Sequence, residues 1–205
     1  DATALTSIAS QAFSEELTFM VEDAIVEGTG AGQPLGYINS PATVVVAKVN
    51  GQVNGTVVKE NIDAMWSRMW SRSRKNAIWV INQDCEPQLN QLNQAVGTGG
   101  QLVYLPPGGI ANAPNATLYG RPLIATEYCA ALGAPGDIAF LDLSQYTMVD
   151  KGGVQMATSM HIAFDTDEMR FRITYRCDGK PMWALPMAPF KGSLTKSPFV
   201  VLAQR

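Results

Sequence analysis

A chain of 205 residues, 46% hydrophobic and only 16% charged, can bury a substantial core as one domain or two small ones. Its net charge of -3 and pI near 5.1 give no general attraction for nucleic acid, and its longest apolar runs, such as Val44 to Ala47, are far too short to span a membrane. A charge fraction well under the usual quarter points to a surface partly covered by neighbours.

No signal-peptide pattern is visible, and a start at Asp1 without methionine reads as a fragment or a processed product. Cys85, Cys129 and Cys177 are odd in number and widely spaced. They fit neither a disulfide framework nor a zinc site, and are expected to be reduced, packed thiols in a cytosolic setting.

Leu5, Ile8, Ala9, Ala12, Phe13, Leu17, Met20, Val21, Ala24 and Ile25 recur at steps of three and four. The spacing predicts a helix to about Glu27 with one buried apolar face. Gly28 stands where a left-handed cap is wanted, and Gly30, Gly32, Pro34 and Gly36 forbid continuation. The polar face carries Ser7, Gln11, Ser14, Glu15 and Glu22. Glu22, Asp23 and Glu27 lie near the negative end of the helix dipole, and no Lys or Arg precedes Lys48. Either the acidic face is solvated, or a basic surface elsewhere in the fold or on another chain lies along it.

Thr43 to Val49 predicts a strand, and Asn50-Gly51 and Asn54-Gly55 predict turns. Thr56 is expected to cap a helix over Val58 to Ser71, with Ile62, Met65, Trp66, Met69 and Trp70 inward and Arg68, Arg72, Arg74 and Lys75 at its end. Ala77 to Ile81 reads as a buried strand, Cys85 to Gln94 as a short helix with Leu89 and Leu92 inward, and Gly97 to Gln101 as a flexible loop. Leu102 to Leu105 reads as a strand and Asn112 to Asn115 as a loop, with Leu118 to Ile124 an irregular connector. Ile138 to Leu141 and Tyr146 to Val149 are predicted strands.

The clearest β signal follows. Val154, Met156, Thr158, Met160, Ile162 and Phe164 alternate onto one face; so do Met169, Phe171, Ile173, Tyr175 and Cys177, with Arg170, Arg172, Thr174 and Arg176 opposite. A turn over Asp165 to Glu168 makes these a long antiparallel hairpin; Asp178-Gly179 is expected to be a second turn, into Met182-Trp183. Phe199 to Ala203 is a final strand.

Catalytic chemistry is poorly represented. Gly28-Thr29-Gly30-Ala31-Gly32 follows a helix, whereas a dinucleotide loop follows a strand, and no Gly-Lys-Ser/Thr occurs. His161 is the single histidine, beside Ser159 on the polar face of its strand, and no Gly-x-Ser-x-Gly elbow is present. Asp165, Asp167 and Glu168 read as an exposed hairpin end rather than a cation site. No catalytic, cofactor-binding or metal residue is assigned.

The stretch Val21 to Ile38, with the glycines and proline of Gly28 to Gly36, resembles the major capsid proteins of tailed phages. So do Met169 to Gly179, with Arg176-Cys177-Asp178-Gly179, and the tail from Pro189-Phe190-Lys191-Gly192 to Leu202. The resemblance covers essentially the whole chain. It implies an α+β fold of the Hong Kong 97 type, with a spine helix, a long antiparallel hairpin and a mixed α/β axial domain. Residues 1–50 and 145–184 would form the peripheral domain and 51–144 the axial domain, with 185–205 as a C-terminal segment. The implied function is structural and not enzymatic: a major capsid subunit self-assembling into an icosahedral phage or prophage head around DNA. The implied partners are copies of itself in pentamers and hexamers, portal and scaffold or protease proteins, and DNA held without sequence specificity. No membrane or cofactor is implied. The implied location is the virion capsid, assembled in the bacterial host cytoplasm. Family members carry an N-terminal arm and an extended loop ahead of the spine helix. This sequence shows neither, so no crosslinking lysine is assigned, and the stretch by itself is expected to be monomeric or weakly associated. An encapsulin-like shell, an unrecognised hydrolase and a nucleotide-binding module are the alternatives.

The resemblance sets the strand of Arg170, Arg172 and Arg176 beside the spine helix of Glu15, Glu22 and Asp23. At least one of these arginines is expected to reach a spine carboxylate, within the chain or across a subunit contact. The competing arrangement packs Phe171, Ile173 and Tyr175 on the helix and turns the arginines toward neighbouring subunits.

Overall fold

The apolar runs Ile78–Asn82 (β2), Ile138–Leu141 (β7) and Phe199–Leu202 (β12) lie side by side in the middle of one sheet, and every residue of β7 and β12 is buried. Strands buried on both faces read as continuous apolar runs, which is why these were legible. The computed structural model describes residues 2–96, 99–102, 117–159, 161–162, 165–166 and 170–205, with side chains from residue 8 onward and not at 93–102.

The six-stranded sheet runs β1-β12-β7-β2-β6-β5, where β1 is Val44–Val46, β5 Thr117–Leu118 and β6 Arg121–Thr126. β1 pairs parallel to β12 (Val44 opposite Val200) and β2 parallel to β6, while β7 is antiparallel to both its neighbours. Alternation splits the apolar residues into two cores. One face holds Ile138, Phe140, Val200 and Leu202 with Trp79, Ile62, Met65 and Met69; the other holds Ala139, Leu141, Phe199 and Val201 with Tyr37 and Val26. Trp79 stacks on Phe140 at 4.1 Å, and its Nε1 donates to the Leu118 carbonyl at 3.0 Å.

The first face is covered by α2, Lys59–Arg68, and the short α3, Glu86–Asn90. Thr56 does not cap α2. Its hydroxyl donates to Val53 O, and the Asn61 carbonyl oxygen takes the Val58 N–H at 3.1 Å instead. Met69 is buried as expected; Trp66 is half-buried, stacked between Tyr119 (5.2 Å) and Phe140 (5.4 Å). Leu89 and Leu92 are buried.

Two loops and a turn expected from sequence are strands. The region of Gly97 to Gln101 holds β3 (Asn93–Val96) and β4 (Gly99–Leu102), paired antiparallel. The connector of Leu118 to Ile124 holds β5 and β6, with Tyr119 and Gly120 at positive φ in their turn. Asp178-Gly179 is no turn: it lies within β11, Cys177–Pro181, paired antiparallel to β8, Tyr146–Asp150. Glycine is required there because a Cβ would sit 2.9 Å from the Tyr146 ring. The predicted hairpin is present as β9 (Gln155–Ser159) and β10 (Arg170–Thr174), in the register Phe171–Thr158 and Ile173–Met156. Val103 to Leu105, the loop of Asn112 to Asn115, and Met160, Phe164 and Asp167 to Met169 lie outside the described residues.

Deep under β7, Arg205 makes a two-pronged ion pair with Asp137, at 2.9 and 2.7 Å, both side chains being fully buried. Gly133 N–H also donates to Asp137, and Arg205 Nε donates to Thr56 O at 2.5 Å. Such a pair is tolerated only when its remaining donors and acceptors are satisfied, and here they are. Cys85, whose thiol also points at Asp137, is pushed up to about 12 by burial first and the carboxylate second. It is inert at neutral pH.

Candidate assembly surface

The helix α1, Ala2–Glu27, is present at the predicted length, but the expected burial of its apolar face is not. Ile8, Phe13, Phe19 and Met20 are exposed, Met20 by 60%, and among its described side chains only Ala24 and Val26 near its end are buried. Periodicity marks which residues share a stripe; it does not say whether the partner belongs to the same chain. For most of its length α1 stands clear of the sheet.

Its C-terminus is fastened by backbone. Gly28 N–H bonds Ala24 O (2.9 Å), Tyr37 N–H bonds Ile25 O (3.0 Å) and Ile38 N–H bonds Val26 O (3.1 Å). Asn39 Nδ2 donates to Glu27 O at 2.6 Å, so all four terminal carbonyls have donors. Gly28 is not the left-handed residue; Gly30 and Gly32 are, at φ 76° and 75°. Gly28 and Gly36 are glycines for another reason. The chain folds back so tightly that a Cβ on Gly28 would stand 2.1 Å from Pro34 O, and one on Gly36 2.5 Å from Val26 O. The glycine motif is thus a helix cap and chain reversal. Leu35 N–H then bonds Gly179 O at 2.7 Å and Tyr146 Oη donates to Leu35 O at 2.9 Å, tying the turn to β8 and β11.

The acidic residues meet the following partners. Glu15 accepts from Gln11 Nε2 at 2.9 Å. The Glu22 carboxylate lies near the Tyr128 hydroxyl, whose pKa is pushed up to about 12, first by that carboxylate and then by burial. The Phe19 ring packs 5.1 Å from the same tyrosine. Sequence reading missed Tyr128, and no local signal could have found it, since the contact spans more than a hundred residues. Asp23 is exposed beside this pair and adds to the field on Tyr128.

Arg170, Arg172 and Arg176 are exposed. Among the described residues the ion pairs within 4 Å are Lys59–Asp63 and Asp137–Arg205, so none of the three closes on a spine carboxylate at that distance. Across the hairpin, Arg170 faces Ser159 and Arg172 faces Ala157, neither of them acidic. Arg172 and Arg176 share a hollow of about 300 Å³ with Lys151, Gln155 and Thr174. Arg176 also borders a groove of about 370 Å³ between α1 and the root of the hairpin, with Leu17, Met20, Val21, Pro34, Tyr175 and Cys177. The other hairpin face is apolar and open: Met156 and Phe171 are exposed, as are Met148 and Val149 on β8, Val149 by 62%.

Among the described residues there is no cluster of metal-ligating side chains, and no helix is long and apolar enough to cross a membrane. His161 is exposed, its backbone N–H bonded to Ser159 Oγ. The acidic helix and the basic and apolar hairpin are thus the exposed charged and apolar surface of the molecule.

The sequence profile of the phage capsid family matches residues 1–191. The chain belongs to the phage capsid family. No curated protein matches it. Two similar solved structures are the capsid of an empty GTA particle computed with C5 symmetry (16% identity, TM-score 0.69) and that of the native GTA particle (15%, 0.68). They cover 96% of this chain in both cases, and this chain spans 65% and 64% of theirs. The architecture of this member of the phage capsid family is therefore the capsid fold, as the resemblance implied. The encapsulin-like, hydrolase and nucleotide-binding readings are not favoured.

Proposed function

We propose that this phage capsid protein builds a closed icosahedral head around packaged DNA, meeting copies of itself in pentamers and hexamers in the virion, with assembly in the host cytoplasm. Portal and scaffold or protease proteins complete the set of partners. In this reading residues 1–50 and 145–184 form the peripheral domain, and 51–144 the axial domain, whose sheet β12 completes. One observation carries it: α1 and the hairpin expose large apolar side chains and opposite charges, while the central strands β7 and β12 are fully buried. Apolar surface of this kind, rimmed by charge, marks an interface.

The contact between Glu15, Glu22 and Asp23 and the arginines Arg170, Arg172 and Arg176 is assigned to neighbouring subunits. Arg172 and Arg176, with Lys151 beside them, would take carboxylates of an adjacent α1. Exposed pairs of this kind contribute about 0–1 kcal/mol each, so their role is orientation more than affinity. The test is electron microscopy of particles from the full-length protein carrying Arg172→Glu. The reading expects loss of particles with an unchanged melting temperature. Particles of normal yield and size would remove Arg172 from the contact.

A further inference from the structure

Between β11 and β12 the chain presents Met182, Leu185, Phe190 and Leu194 to solvent, and Phe190 is 98% exposed. The loop that carries it is nevertheless held firmly at its base. Met187 and Lys196 exchange both backbone hydrogen bonds at 2.8 Å. Arg68 donates to the carbonyl and the hydroxyl of Thr195, each at 2.7 Å, and Lys196 Nζ donates to Ser67 O at 2.6 Å. An aromatic side chain on a fixed loop tip loses little conformational freedom on binding, and aromatic anchors of this kind dominate interface energetics.

We propose that Phe190 of one copy enters the groove between α1 and the hairpin root of the next copy, a contact that rests on the shell reading above. Among the described residues three hollows are large enough for the ring, and charge separates them: the one of about 300 Å³ is lined by Lys151, Arg172 and Arg176 and would repel Lys191. Another, of about 440 Å³, lies beneath the Phe190 loop against Met69, Trp70 and Met187, and is bordered by Arg74 and Lys196. Seating a neighbour's Phe190 there brings Lys191, the next residue, against two like charges. The third is the groove of about 370 Å³ lined by Leu17, Met20, Val21, Pro34, Tyr175 and Cys177. By helical spacing Glu16, Asp23 and Glu27 run along its edge beside Met20, where Lys191 finds carboxylates. Arg176 also lines this groove, from the hairpin root rather than from α1.

Knob and groove are different patches, so the contact is head-to-tail, and repeating it closes a ring when the rotation allows.

Cys177 makes the contact testable, because it lines the groove and is half-buried whereas Cys85 and Cys129 are buried. Full-length protein with Phe190→Cys is co-assembled with an excess of unsubstituted protein and treated with copper–phenanthroline. Non-reducing electrophoresis should show a crosslinked dimer that Cys177→Ser in the unsubstituted partner abolishes. In a separate assay Phe190→Ala should raise the concentration needed for assembly on the order of thirtyfold, and Phe190→Leu much less. Particles that form without the crosslink, a crosslink that appears only when the partner carries Met187→Cys, or normal assembly of Phe190→Ala would each overturn the contact alone. Failure of the unsubstituted protein to form particles would overturn the shell reading and the contact with it.

Discussion

The six-stranded sheet and the spine helix are made of similar apolar residues used in opposite ways. In the sheet, Ile138, Ala139, Phe140 and Phe199 are completely buried, and even the charges beneath it, Asp137 and Arg205, are paired out of water. On α1, Ile8, Phe13 and Met20 face solvent, and the carboxylates lean on a tyrosine and a glutamine. The sheet is complete within one chain, and the helix is not. Stability therefore resides in one region and association in the other, and substitutions should divide along the same line.

The largest effect is expected at the buried pair. Asp137→Ala strands Arg205 without its partner and should cost about 3–5 kcal/mol, read from urea unfolding. A loss under 1 kcal/mol would mean that the guanidinium escapes to solvent and that this region is less closed than the comparison requires. Next comes the junction between the regions. Gly36→Ala forces a methyl against Val26 O and should cost about 1–3 kcal/mol while lowering the helicity of the end of α1. A neutral result there would separate the helix cap from the fold.

A smaller effect is expected from Tyr146, whose hydroxyl holds the glycine turn. Tyr146→Phe should cost about 0.5–1.5 kcal/mol at neutral pH. Burial, first, and then Asp178 push this phenol from an ordinary value of about 10 up to about 12 in the fold. A pKa raised on folding gives stability that is full below pH 10 and lost as pH rises through about 12. Melting temperature against pH should therefore fall over that window, and less steeply in Tyr146→Phe; parallel curves would remove Tyr146 from the alkaline transition. The smallest effect on stability is expected on the association side, where Arg172→Glu should change unfolding by no more than about 0.5 kcal/mol. A larger change would show that the hairpin already uses this arginine within its own chain.

How far the sequence could be read follows the same division. The runs at β7 and β12 were legible because strands buried on both faces read as continuous apolar stretches, and the hairpin because Met156, Phe171 and Ile173 alternate with polar residues. β3, β4 and β5 were not, since Gly, Asn and Gln carry no such period and pairing is decided by the partner strand. Gly28 and Gly179 were recognised as punctuation, but for the wrong reason: the need was close approach of another backbone or ring, which depends on residues far along the chain. The Asp137–Arg205 pair and the approach of Tyr128 to Glu22 were invisible for the same cause. The stripe on α1 was seen correctly and its burial expected wrongly, because a stripe looks the same whether its cover comes from one chain or two.

The position of β12 in the sheet has a consequence for biosynthesis. β12 sits between β1 and β7, so Val44 waits for Val200 before it has a parallel neighbour, and the Ala203 N–H closes onto Val46 O only after that. Until the ribosome has released Leu202, two hydrogen-bonding edges and both core faces stay open, a state prone to sticking to other chains. Contacts this distant in sequence also form slowly. The order of synthesis thus acts as a timer: a nascent subunit lacks the finished sheet on which its association surfaces are mounted, and a chain cut short before Phe199 is left for chaperones and proteases to clear.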